Sequence, residues 1–135
     1  MPVKFNDIAA VVATRDYTAA RSWYSRVIGR EPDLEPVDEV AEWQIAATAW
    51  LQLVVDPDRA GKSMVRIGVV DLAAQIAELN DAGIATGESV VIADMVKVVD
   101  IADPDGNEVS FVEEMTPTEP QLAESTAFDG LRISS

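Results

Sequence analysis

The chain has 135 residues, the size of one ordinary domain, and is 48% hydrophobic, so it can bury a core and is not a disordered polymer. Its formal charge of −14 excludes a phosphate backbone as partner, and no apolar run approaches the ~18 residues of a membrane span. Cysteine and histidine are both absent, which excludes disulfides, thiol nucleophiles and every metal site or proton transfer built on imidazole. A carboxylate or amide oxygen site for a harder ion stays open. The N-terminus, MPVKFNDIAA, lacks the charged start and long apolar stretch of a signal peptide, so a cytoplasmic location is expected.

In chain order, two stretches share a layout. FNDIAAVVATRDYTAARSWYSRVIG, from Phe5, and SMVRIGVVDLAAQIAELNDAG, from Ser63, each begin with a short Val/Ile-rich strand. Each then reaches an Asp suited to cap a helix, Asp16 or Asp71, and ends at a Gly suited to stop one, Gly29 or Gly83. Ala20, Trp23, Tyr24 and Val27 make the apolar stripe of the first predicted helix; Leu72, Ile76 and Leu79 make that of the second. Three strand-like segments follow each helix: 33–38, 40–47 and 49–55, then 87–92, 95–102 and 107–114. The first is weakened by Pro32 and Pro36. Pro104-Asp105-Gly106-Asn107 reads as the turn between the last two, and DPDRAGK, 56–62, as an exposed linker. The prediction is an α+β chain, βαβββ twice, whose modules at about 3–55 and 63–115 form one domain over 1–115. Two such units can enclose a cup of curved mixed sheet, with the helices outside.

AARSWYSRVIGREPD, VVDLAAQIAELNDAGI and DPDGNEVSFVE, in that order, resemble the glyoxalase / bleomycin-resistance / extradiol dioxygenase (vicinal oxygen chelate) superfamily over about residues 3–115. The resemblance implies paired βαβββ modules and often a homodimer that completes the cavity. It also implies four cup-facing metal positions, filled in the family's enzymes by His, Glu or Gln. Here they fall at Ala9, Gln52, Met64 and Ser110, and a placement two residues earlier in the first strand gives Asp7. Only Gln52 is a plausible ligand, and two oxygen donors are too few, so no metal and no cofactor are expected.

Strand alternation sorts the remaining side chains. Leu51, Leu53, Val55, Val65, Ile67, Val69, Val109 and Phe111 go to the core. Trp50, Gln52, Met64, Arg66, Glu108, Ser110 and Val112 go to a predicted ligand-binding wall, with Trp43 as an added member. Competing structural roles are open: Trp43 and Trp50 packing at a dimer interface, Arg66 pairing with Glu108, Met64 as filler. Asp105 and Asn107 are assigned to the turn, Trp23 and Tyr24 to the core. Residues 116–135 read as a tail or a short helix anchored by Phe128, and Pro2–Phe5 as an arm available for exchange. The expected function is metal-independent binding of a small molecule, of the drug- or metabolite-sequestering kind. The alternatives are a glyoxalase-like lyase, isomerase or dioxygenase with non-standard ligands, and a dimeric scaffold without a ligand.

Overall fold

The computed structural model describes residues 4–115. The first half runs β1 (Ile8–Thr14), α1 (Tyr17–Ile28), β2 (Val40–Ala46) and β3 (Ala49–Val55). The second runs β4 (Met64–Gly68), α2 (Leu72–Asp81), β5 (Val90–Ile92), β6 (Val96–Ala102) and β7 (Glu108–Glu114). The fold is α+β, with a three-stranded sheet of order β1-β3-β2 and a four-stranded sheet of order β4-β7-β6-β5. This is the expected duplicated layout with one reduction. The weak strand at 33–38 shrinks to a single bridge, where Leu34 and Glu42 exchange N–H···O bonds of 3.1 and 2.8 Å. Pro32 and Pro36 have no N–H to extend it. The segments expected over 116–135, with Phe128, and at Pro2 lie outside the described residues.

Both helices start and stop where their local chemistry dictates. Asp16 accepts from the Ala19 N–H at 3.2 Å and Asp71 from the Ala74 N–H at 3.1 Å, each satisfying a free first-turn donor. Gly29 closes α1 in the left-handed region, φ 90°, and its N–H donates to the Ser25 carbonyl at 2.9 Å. After α2, Gly83 takes φ 82° and the Ile84 N–H reaches back to the Leu79 carbonyl at 2.9 Å.

In the first sheet β1 runs parallel to β3 and β2 antiparallel to it. Directly paired residues share a face. Leu53 pairs with Val12 and Ala41, and Leu51 with Trp43, and all five are buried. α1 packs on this face with the predicted stripe, Ala20, Trp23, Tyr24 and Val27, all buried. The Tyr24 ring lies 6.2 Å from that of Trp43 and meets Trp23 edge-on at 4.8 Å. The expectation that Trp43 lines the ligand wall is therefore corrected. Its pairing with Leu51 turns it into the core, where its Nε1–H donates to the Arg30 carbonyl at 3.0 Å.

The chain divides into two compact units: residues through Val65 with Ala102–Val109, and Arg66–Ile101 with the chain from Ser110. The 102–109 segment closes the first unit. Asp103, 5% exposed, accepts from the Tyr24 hydroxyl at 2.7 Å and from the Asn107 side chain and backbone at 2.8 and 2.9 Å. Asp105 takes the Thr14 hydroxyl and the Arg15 backbone and side chain. Gly61, φ 82°, passes so close to the Asp105 carbonyl that a Cβ there would collide with it. In the second unit the β5–β6 hairpin turns through Ala93 and Asp94, both with positive φ, and the Met95 N–H donates to the Ile92 carbonyl at 2.9 Å. Glu113 accepts from the Leu72 N–H at 2.7 Å and so caps α2 from β7. Leu72, Leu79, Val99, Ile101 and Phe111 are buried there.

Candidate functional site

The second face of the first sheet is the candidate site. Register places its side chains in three rows across β1, β3 and β2: Ala9, Trp50 and Gln44; Val11, Gln52 and Glu42; Ala13, Val54 and Val40. Neighbours within a row stand about 5 Å apart and successive rows about 7 Å apart. The face is mostly apolar, with Trp50, Gln52 and Glu42 half-buried and Val11 exposed. An aromatic wall with a few converging polar groups is the makeup of a small-molecule site.

Its polar centre is one pair. The Gln52 Nε2 donates to the Glu42 Oε2 at 2.6 Å. In the row above, the Gln44 Nε2 donates to the Ala47 carbonyl at 2.8 Å. The Gln44 backbone N–H donates to Asp33 at 2.7 Å and, with Arg30 beside it, holds that carboxyl below its usual range. This fixes the end of β2 under Gln44. Sequence reading missed Glu42 and Gln44. Their signal was present in VAEWQIA, where Glu42 and Gln44 alternate with Ala41, Trp43 and Ile45, but it needed the pairing partner to say which set faces in.

Of the predicted wall, the structure brings Trp50 and Gln52 together on β3 and joins Glu42 to them. Trp43 is buried on the other face of β2, and the rest belong to the second sheet. Met64 and Arg66 are exposed on β4, and Glu108 is exposed at the start of β7. Ser110 and Val112 are buried, and among the described residues the Ser110 Oγ has no hydrogen-bond partner. Buried Val109 and Phe111 lie on the other face of β7, as alternation required.

The donor set does not fit a divalent metal. Ala9 offers a methyl group, Met64 a thioether and Ser110 a neutral hydroxyl. The Gln52 Nε2 is held by Glu42, and its amide oxygen by itself is too weak a donor to hold a divalent ion. Among the described residues no group of three or more His, Cys, Asp or Glu could hold an ion. Away from this face, a concavity of about 470 Å³ lies along α1 between Arg21, Ser25, Arg30 and Glu31. Arg21 is engaged by Glu31 and Glu35, and Arg30 by Asp33, so two of its cations are already neutralised. Among the described residues no helix is long and apolar enough to cross a membrane.

Comparison with known proteins agrees with this architecture. A family profile described as a glyoxalase-like domain matches residues 9–112. A glyoxalase / bleomycin resistance protein from Catenulispora acidiphila is 33% identical, with a TM-score of 0.76 over 82% of this chain and 98% of that one. Two more distant structures share the fold. The antibiotic binding protein TnmS3 from a Streptomyces species is 20% identical, with a TM-score of 0.71 over 85% of this chain and 99% of its own. A lactoylglutathione lyase from Agrobacterium tumefaciens is 18% identical, with a TM-score of 0.65 over 84% of this chain and 95% of its own. No curated protein matches the sequence. With three quarters of its length on the family profile and 33% identity to one member over 82% of the chain, the chain belongs to the glyoxalase-like domain family of the vicinal oxygen chelate superfamily.

Proposed function

We propose that this protein binds a small organic molecule without a metal and sequesters it, acting in the cytoplasm. The observation that carries this reading is the open face of the first sheet. It combines a half-buried indole with a hydrogen-bonded Glu42–Gln52 pair on an apolar floor, while the positions where the family's enzymes hold a metal carry Ala9, Met64 and Ser110. Ala9, Met64 and Ser110 supply no metal to activate water or polarise a carbonyl, and the indole with the Glu42–Gln52 pair suits recognition. The name of the Streptomyces relative, an antibiotic binding protein, supports the same reading. On the second sheet, taken by itself, Met64, Arg66 and Glu108 are exposed and are proposed as ligand contacts of that sheet, with Ser110 and Val112 on the Glu108 face of β7.

The working unit in this proposal is a homodimer. β1 is an edge strand of its sheet, and Ile8 on it is 70% exposed. A second copy of the chain would cover this edge.

Tryptophan fluorescence tests the binding reading. Trp23 and Trp43 are buried in the core, and Trp50 alone of the three stands on the open face. Titration with a library of flat drugs and metabolites should quench or shift the emission, and Trp50→Phe should remove that response while leaving the fold intact. A response that survives Trp50→Phe would place the ligand elsewhere.

A further inference from the structure

We infer, resting on the binding reading above, that this face selects a flat cation whose amidinium or ammonium group pairs with Glu42 and whose ring stacks on Trp50. Three observations converge on that class.

The first is charge. Glu42 is half-buried, receives one hydrogen bond from Gln52 and, among the described residues, has no ion-pair partner. The nearby acids behave differently: Glu31 and Glu35 are held by Arg21 and Asp33 by Arg30. A carboxylate drawn partly out of water without a cation is unfavourable until one arrives.

The second is hydrogen-bonding polarity. An ionised carboxylate only accepts, so Gln52 must turn its NH₂ to Glu42, which leaves its own carbonyl oxygen free. Gln44 likewise gives one N–H to the Ala47 carbonyl. The face therefore presents three acceptors, the Glu42 Oε1 and the amide oxygens of Gln52 and Gln44, beside one remaining N–H on each amide. Such a set favours a ligand rich in N–H donors, and the Glu42 charge repels a carboxylate.

The third is spacing. Trp50 stands one row from the Glu42–Gln52 pair, about 7 Å along the strands, with Val11 and Val54 beside Gln52 as floor. A ring on the indole and a charged group on Glu42 can be held at once, and the apolar floor strengthens the ion pair. The overall charge of −14 speeds capture of such a ligand.

The test uses the full chain and calorimetry with three probes of one shape: the aromatic bis-amidine pentamidine, its neutral bis-amide and its bis-carboxylate. The expected order is bis-amidine tightest, with Glu42→Gln costing about tenfold in its affinity and leaving the bis-amide unchanged. Glu78→Gln, on the exposed side of α2, removes the same unit of net charge and should shift affinity less than about twofold, which separates pairing from general attraction. If the bis-amide or the bis-carboxylate binds as tightly as the bis-amidine, or if Glu42→Gln behaves like Glu78→Gln, the cation assignment is overturned. The binding reading then still stands, provided the probes lose affinity on Trp50→Ala. If none of the three binds, the cation assignment is overturned; if Trp50→Ala changes nothing, the ligand does not lie on this face and both readings of it fall.

Discussion

The side-chain amide of Asn107 donates to the carbonyl of Ala13 at 2.9 Å, across 94 residues of sequence. The same side chain accepts from the Ser63 N–H at 3.1 Å and from its hydroxyl at 2.8 Å, and donates to Asp103 at 2.8 Å. One fully buried amide thus ties β1, the start of β4 and the 103–107 turn together. Asn107→Ala would leave the Ala13 carbonyl and one Asp103 oxygen short of donors in a buried place. The expected loss is about 2–4 kcal/mol in urea unfolding. Asn80→Ala, on the exposed surface of α2, should cost well under about 1 kcal/mol.

Tyr24 makes the alkaline side of the stability curve predictable. Burial raises its pKa far above the ordinary tyrosine value, and its hydrogen bond to Asp103 adds to the rise. The protonated phenol is the form the fold holds. Its stabilisation is therefore fully present below the unfolded value of about 10 and is lost as pH rises above that. The chain has two tyrosines. Ultraviolet titration should show the Tyr24 phenolate forming only as the protein unfolds. Tyr24→Phe should flatten the fall in stability above about pH 10; an unchanged slope would mean that another group sets it.

The two strand tryptophans should separate cleanly. Trp43→Ala opens a cavity beneath α1 and strands the Arg30 carbonyl, for an expected cost of about 3–5 kcal/mol. Trp50→Ala lies on the open face and should cost under about 1 kcal/mol while abolishing ligand response. Equal destabilisation by both would show that Trp50 is a packing residue.

Gly61 tests the contact between the linker and the turn. Gly61→Ala requires a side chain at φ 82° and drives a Cβ into the Asp105 carbonyl. A loss of about 2 kcal/mol or more is expected. Gly87→Ala meets nothing within 4 Å and should be near neutral. A stable Gly61→Ala variant would show that residues 56–62 can lift away from the turn without cost.

Light scattering should give a particle of twice the 14.5 kDa chain mass at micromolar concentration. Ile8→Asp should convert it to monomer by placing a charge on the exposed edge of β1. Elemental analysis of protein purified without chelator should find no stoichiometric Zn, Fe, Ni or Mn. One tightly held metal per chain would refute the metal-independent reading.

Local sequence determined both helices in this protein, because capping and apolar spacing act within one turn of chain. Asp16 and Gly29, and Asp71 and Gly83, bracket them as their chemistry requires. It also sorted each strand internally: Leu51 and Leu53 are buried while Trp50 and Gln52 are not, and Pro32 and Pro36 thin the strand between α1 and β2 to one bridge. Which set of a given strand faces the core was decided only when the strands paired. Alternation has a period of two and says nothing about a neighbour's register, so Trp43 was assigned to the open face until its pairing with Leu51 buried it. The same pairing brought Glu42 beside Gln52 and so created the polar centre of the candidate site. Asn107 followed the same logic. In the sequence it reads as a turn residue, and the turn is real, but its amide is spent on Ala13 and Ser63, partners that only the folded chain brings within reach.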